Sequence, residues 1–461
     1  MKVRDMAKQD KPIEKSFIVD GATIYEMIAD PDTETLSYVK YDRFNGETDI
    51  CSEVVMNDHI YIPPQNKLAF SGTMLLPTFP AEYESFASLL ENVRSYIDTY
   101  LELPTDYLMI ASYYVILSWV YDCFETIPYL RARGEYGTGK SRFLKVIGSL
   151  CYRPCFAGGS STVSPIFRLI DLYGGMTLVL DEADFRFSGP DAEIIKILNT
   201  GYSKGTPVLR TEGDRVRVPT AYITYGPKVI ATRKEFEDLA LESRCLTNYM
   251  MPKTRRDIPL HLPKNFDRVT KDIRNQLLMF RLKHYGEYEV DEKDVIEGVE
   301  PRINQVLLPL FAIADTDEMR DELREFAMKH AKTQVGSRSE SIEALVLSAI
   351  IDASKESRYI KIKEVAHKLN ESRTKEQGEY AISYAKIGKI NKTSFGFITR
   401  LVHGITELVW DESVGISLCG RYGIEYQSPG LDLNKVEEVE FVEDLFGAKL
   451  LSPDIGLPEE G

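Results

Sequence analysis

Cysteine is scarce in this 461-residue sequence, and what there is forms no pattern. Of Cys51, Cys123, Cys151, Cys155, Cys245 and Cys419, only Cys151 and Cys155 lie close together. That spacing gives neither a disulfide framework nor a zinc site, and the six histidines do not join the cysteines at ligand spacing. Free thiols in a reducing cytoplasm are therefore expected. A signal segment is missing as well, since Met1 to Asp5 is polar. The longest apolar run, Tyr107 to Tyr121, falls short of the about twenty residues that cross a bilayer. It is closed in by Asp106 and Asp122 and would carry tyrosine hydroxyls into lipid, so it reads as a buried helix and not as a membrane span. Internal repeats and long low-complexity tracts are absent. So is net positive charge: at −15 the chain does not coat nucleic acid over its whole surface, and any such contact must be localised. The remaining composition, 43% apolar and 28% charged, is that of an ordinary globular protein with room for two to four domains.

What stands out is Gly134-Glu135-Tyr136-Gly137-Thr138-Gly139-Lys140-Ser141, which matches GxxxxGK[ST] at every specified position. Pro128 to Arg133 reads as a strand entering this loop, and Ser141 to Leu150 spaces its apolar residues as a helix does. Such a loop turns backbone N–H groups and a helix N-terminus toward a phosphate. Gly134, Gly137, Thr138 and Gly139 would line it, Lys140 would reach the β- and γ-phosphates of ATP, and Ser141 would ligate Mg²⁺. About forty residues on, Met176 to Leu180 is a buried-type strand that ends in Asp181-Glu182. Asp181 is expected to hold the Mg²⁺ shell and Glu182 to polarise the attacking water.

The rest of the chain divides around that core. Residues 1–75 give short alternating runs broken by Asp, Gly and Pro, a small β-rich domain without catalytic spacing of any kind. Residues 76–127 are a helical lead-in. The core spans 128–253. Within it, Pro207 to Val218 looks like a β-hairpin turning at Glu212-Gly213-Asp214, with Arg215 and Arg217 on one face and Arg210 on the incoming strand. Lys228 to Thr232 is a second core strand.

With Phe236 to Leu246, which contains ALESRC, these motifs resemble the AAA+ superfamily, and within it the superfamily three and MCM-like helicases of phages, plasmids and other mobile elements. The resemblance covers roughly 128–253. It implies an α/β fold: an AAA+ P-loop ATPase core with a helical lid at 254–335. It also implies that Arg244 is a finger on the neighbouring subunit's γ-phosphate, hence a homo-oligomeric ring, usually a hexamer. Thr232 falls where the family carries a γ-phosphate sensor, usually Asn, and Arg302 is the candidate second sensor. DEAD-box RNA helicases, suggested by LDEAD, lack a hairpin between the acidic strand and the sensor.

Residues 336–424 give the helix and strand order of a winged helix, in which Lys386, Lys389, Lys392 and Arg400 would meet DNA phosphates. Residues 425–461 carry ten acidic residues against two lysines, an acidic tail that could dock a replication partner. The expected function is an ATP-dependent, ring-forming DNA helicase or replication motor. The alternative is a non-translocating AAA+ switch or loader that remodels a protein partner on DNA. A small-molecule kinase on the same loop would leave the hairpin and the winged helix without a role.

Overall fold

The computed structural model describes residues 11–158, 163–181, 191–212, 218–236, 238–339, 341–372 and 381–426. The chain divides into two compact units, Met1–Lys332 and Thr333–Gly461.

The first unit opens with seven strands: β1 (Ile13–Glu14), β2 (Phe17–Asp20), β3 (Thr23–Asp30), β4 (Thr35–Asp42), β5 (Thr48–Cys51), β6 (Val54–Met56) and β7 (His59–Ile62). Strands β2 to β5 form an antiparallel meander, and β1, β7 and β6 a smaller sheet. Ile18, Tyr38, Val54 and Tyr61 form a small apolar cluster between these strands, while the opposite face is not a separate core. Ile24, Ile28, Val39 and Tyr41 belong to the same apolar cluster as helices α1 (Phe86–Tyr100) and α2 (Thr105–Trp119). Every side chain of α2 from Tyr107 to Trp119 is buried. Such a helix can tolerate tyrosines only if their hydroxyls find partners. The Tyr107 hydroxyl lies 2.9 and 2.8 Å from the carbonyl oxygens of Arg131 and Leu246, and Tyr114 donates to the Lys228 carbonyl at 2.8 Å. The apolar run is thus a central helix laid against the main sheet, and among the described residues no helix is long and apolar enough to cross a membrane.

The main sheet follows from alternating strands and helices: β8 (Tyr129–Arg133), α3 (Lys140–Gly148), β9 (Pro154–Ala157), α4 (Val163–Tyr173), β10 (Thr177–Leu180), α5 (Asp191–Thr200), the pair β11 (Val208–Glu212) and β12 (Val218–Tyr222), then β13 (Lys228–Thr232), α6 (Leu239–Glu242) and β14 (Cys245–Tyr249). Strands β8, β9, β10, β13 and β14 form one parallel sheet in the order β14-β8-β13-β10-β9. Strands buried on both faces read as continuous apolar runs, and β10 (TLVL) and β13 (KVIAT) do so. The first unit thus has a mixed α/β architecture around a five-stranded parallel sheet. β11 and β12 pair with each other as a two-stranded antiparallel ribbon apart from it, Leu209 opposite Ala221 and Arg210 opposite Thr220. Helices α7 (Phe266–His284) and α8 (Pro301–Ala312) and the part of α9 (Asp317–Ser339) up to Lys332 complete the unit.

In the second unit, α10 (Ile342–Ser354), β15 (Tyr359–Lys361), α11 (Ile362–Ser372), α12 (Tyr384–Ile390), β16 (Thr399–Val402), β17 (Ile405–Val409) and α13 (Glu412–Tyr422) enclose their own core, with strand order β15-β17-β16. The tight β16–β17 turn places His403 and Gly404 at φ 48° and 78°, the left-handed region that such hairpins demand. Of the expected acidic tail, 425–461, all but 425 and 426 lies outside the described residues.

Candidate nucleotide site

In a parallel sheet all strands end on one side, so the C-terminal ends of β8, β13 and β10 meet there. Register makes this specific: Thr232 of β13 lies opposite Arg133 of β8, and Leu180 of β10 opposite Ile230. The 134–139 loop leaves β8 at that edge and Asp181 leaves β10. β13 lies between them, which sets the two about 10 Å apart at ordinary strand spacing. That gap is wide enough for a phosphate and a cation.

The loop has the backbone that its glycines were expected to supply. Gly137 and Gly139 have φ of 80° and 93°, and Gly139 is the N-cap of α3. A Cβ at Gly134 would come within 2.7 Å of the Met250 carbonyl oxygen and 2.9 Å of Thr138 Oγ1, so only glycine fits beside the end of β14. Thr138 is buried and donates to the Glu135 carbonyl at 2.8 Å, closing the turn from inside. The Lys140 ammonium donates to the carbonyls of Gly134 and Glu135 at 2.8 and 2.7 Å. These are the loop's own oxygens, which phosphate oxygens would replace. Ser141 is exposed at the first turn of α3 and Asp181 is half-buried. Glu182 lies outside the described residues.

Thr232 is 1% exposed, and its Oγ1 has no hydrogen-bond partner among the described residues. A buried hydroxyl is rarely left so, and this one ends the strand between the loop and Asp181. Gly134 N donates to the Thr232 carbonyl at 3.2 Å, which ties the loop to that strand. Left-handed glycines, a cramped Gly134, an ammonium resting on carbonyls and an orphan hydroxyl together fit a nucleoside triphosphate with Mg²⁺. Magnesium needs only one or two protein oxygens besides phosphate and water, and the Ser141 hydroxyl and the Asp181 carboxylate would be the ones to supply them.

Two expected nucleotide residues lie elsewhere. Arg244 precedes β14, and its carbonyl accepts from Tyr129 N, the first residue of β8, at 2.9 Å. It is therefore at the amino ends of the strands, opposite the loop. The residue is 7% exposed, and its guanidinium donates to Asn199 Oδ1 and lies over the Tyr202 ring at 4.0 Å. Arg302, in the first turn of α8, lies over the same ring at 5.4 Å and donates to Gln305 Oε1 at 2.6 Å. The structure thus brings Arg302 together with Arg244 and away from Lys140. Burial pushes the Tyr202 phenol up, but the hydrogen bond to Arg302 and the positive charges of Arg244 and Arg302 outweigh it and hold its pKa below the usual value. Tyr202 and Asn199 were not evident from the sequence, because nothing in Gly201-Tyr202-Ser203 distinguishes this tyrosine from the 25 others.

Of the expected DNA-contacting arginines, Arg210 is engaged within the unit: it lies over Phe167 at 4.5 Å and 3.3 Å from Glu193. Arg215 and Arg217 lie outside the described residues. In the second unit Arg400 is paired with Glu407 at 2.8 Å and stacked on Tyr359 at 3.3 Å. Lys386, Lys389 and Lys392 are exposed, and among the described residues none has an ion-pair partner.

No family model matches the chain, and no curated protein matches it. Among solved structures, the apo structure of the NrS-1 C-terminal region is similar at 12% identity and a TM-score of 0.36, covering 84% of this chain and 96% of that one. JCV helicase is similar at 12% identity and a TM-score of 0.24, covering 53% of this chain and 61% of that one.

Proposed function

We propose that this chain is an ATP hydrolase of the AAA+ class that assembles into a ring and works as a DNA helicase or replication motor. The observation that carries the hydrolase reading is the glycine loop with Lys140 set one strand away from Asp181, with the orphan Thr232 hydroxyl between them. The strand order supports the reading, because β13 intervenes between the loop strand and the acidic strand and can report on what lies between them.

The residues divide the work. Loop amides and Lys140 bind the β- and γ-phosphates, and Lys140 exchanges two carbonyl partners for phosphate oxygens. Ser141 and Asp181 would hold Mg²⁺, which neutralises charge on the phosphates. Glu182 orients a water and accepts its proton, while Thr232 holds that water or the γ-phosphate. Water adds to the γ-phosphorus as the bond to the ADP oxygen breaks, and ADP and phosphate leave. Arg244 of a neighbouring subunit stabilises the charge that develops.

The second unit, read as a winged helix, would present Lys386, Lys389 and Lys392 to a DNA backbone. One observation favours the switch or loader as a second reading: Arg210 and Arg400, two of the expected DNA contacts, are both engaged by carboxylates and aromatic rings. ATPase rate with and without single-stranded DNA tests both readings. A motor is stimulated several-fold in a salt-dependent way, and a switch is not. Lys140→Ala should lose tight ATP binding in either case, and equal affinity in that variant would remove the nucleotide assignment.

A further inference from the structure

From Ala381 to Thr406 the chain contains no Asp or Glu, although overall its carboxylates outnumber Lys and Arg by 71 to 56. Helix α12 lies in that stretch. Its Lys386 and Lys389 are exposed, as is Lys392 in the turn that follows, while Ile387 and Ile390 are buried in the core of the second unit. Lys363 of α11 joins them, its ammonium 5.7 Å from the centre of the Tyr384 ring, and Tyr384 is 59% exposed. Among the described residues none of these four lysines has an ion-pair partner, whereas Lys355, Lys361 and Lys368 of the same unit each pair with a nearby carboxylate. Arg400 is neutralised by Glu407. The uncompensated charge is thus confined to one helix face with a bare aromatic ring at its first turn.

A row of aromatic rings leads from this face to Tyr426. Asn391, between Lys389 and Lys392, donates from Nδ2 to the Phe397 carbonyl at 2.8 Å. Phe397 stacks on Trp410 at 5.2 Å, and Trp410 on Tyr426 at 6.4 Å. Phe395 also meets Tyr422, the last residue of α13, at 6.0 Å. Residues 427–461 therefore start from the same small body that carries the lysines. They hold nine carboxylates against two lysines, and five of the nine fall in Glu437-Glu438-Val439-Glu440-Phe441-Val442-Glu443-Asp444. Glu437 follows Tyr426 by eleven positions, a separation that an unconstrained chain spans at about 18 Å. Helix α12 is only about 10 Å long. A tether of that length sets an effective concentration of about a millimolar, so surface pairs too weak to hold two separate molecules suffice within one chain.

We infer that the acidic segment 437–444 docks in cis on the lysine face of α12, its carboxylates on Lys363, Lys386, Lys389 and Lys392 and Phe441 against the Tyr384 ring, and covers that face until a stronger polyanion displaces it. The docking stands apart from the nucleotide reading; only its consequence, competition with a DNA backbone, rests on the winged-helix reading above. Because every pair lies at the surface, salt weakens the contact.

Zero-length carbodiimide coupling, which joins a carboxylate to an amine already in contact, tests the docking in the full chain. Coupled peptides should link 437–444 to Lys386, Lys389 or Lys392 at low salt and vanish at high salt. Acylation of these lysines should be several-fold slower in the full chain than in a chain ending at Tyr426, which keeps every described residue. A full-length variant with Glu437→Gln, Glu438→Gln, Glu440→Gln, Glu443→Gln and Asp444→Asn should acylate as fast as the shortened chain. Equal acylation in the full and shortened chains overturns the inference. So do couplings found only between isotopically labelled and unlabelled copies, which would place the segment on a second molecule. A labelled single-stranded oligonucleotide then separates the docking from its consequence: loss of 427–461 should tighten oligonucleotide binding several-fold, and Lys386→Gln with Lys389→Gln should weaken it again. Protected lysines with unchanged oligonucleotide affinity keep the docking and remove the DNA role of α12 instead.

Discussion

Lys228, the first residue of β13, has its ammonium buried, with each proton donated to a backbone carbonyl: Gly201 at 3.0 Å, Thr224 at 3.0 Å and Gly226 at 2.8 Å. It also lies over the Tyr129 ring at 5.0 Å. It pins the loop after α5 and the loop after β12 to the base of the strand that ends in Thr232. Burial pushes its pKa down to about 7 from an ordinary value of 10.5. The unfolded chain therefore binds the extra proton between those values, so the penalty on the folded state is full below pH 7 and is relieved as pH rises toward 10.5. The effect is bounded at roughly 5 kcal/mol. Buried thiols such as Cys151 and Cys245, pushed up to about 12, act with the opposite sign, since unfolding lets them ionise at lower pH. The difference between proteins isolates the lysine: the stability of wild type relative to Lys228→Met, from urea unfolding, should rise between pH 7 and pH 9.5. A pH-independent difference would show that Lys228 is charged to the same extent in both states. This residue was illegible in the sequence for the same reason as Tyr202: its partners are carbonyls brought in by the fold. Lys140 was legible because its partners sit in the same eight residues.

At the level of elements, the β11–β12 hairpin was legible as a turn between two alternating runs, but alternation cannot say which face looks inward. The structure answers for Arg210, which packs on Phe167 of α4 beside Glu193 of α5. Val208 and Tyr222, directly opposite each other, share its side of the ribbon, while Leu209 on the other side is exposed. Arg210 thus anchors the ribbon to the two helices that flank the acidic strand. Its ion pair is partly solvated and weak, and the ring contact is worth about 0.5–1 kcal/mol. Arg210→Ala should therefore cost about 1 kcal/mol locally, read as faster amide hydrogen exchange in 208–212 with exchange in β8 and β10 unchanged. If exchange rises equally across the main sheet, the ribbon is not a separately anchored element. Sequence patterning likewise gave the order of elements in the second unit up to β17, but not α13, nor the pairing of Arg400 with Glu407 across β16 and β17, because which strand faces which is decided by the core beneath them.

On the scale of the whole molecule, patterning suggests a boundary near residue 75, and it does so because a change from period two to period 3.6 marks a change of element, not of packing body. A buried ionic cluster crosses that boundary. Glu26 of β3 pairs with Arg153 and with Arg281 of α7, and Arg281 also pairs with Asp122 at 2.7 Å. Tyr152 donates to Glu26 at 3.0 Å, Arg153 donates to the Ser16 carbonyl at 2.6 Å, and Arg281 to the Trp119 carbonyl at 2.6 Å. The meander, the segment after α3, the end of α2 and α7 are therefore locked at one point that is closed to water. Such a cluster adds little over a well-packed apolar core, yet removing one member strands the others, at about 3–5 kcal/mol. Glu26 is the member shared by both arginines. Glu26→Gln should accordingly lower stability by several kcal/mol in a single unfolding transition of the first unit, with the signal of Trp119 and the ATPase lost together. If the β-rich segment instead melts first and leaves hydrolysis intact, residues 11–62 are a dispensable attachment, and the nucleotide-binding body begins with the helices.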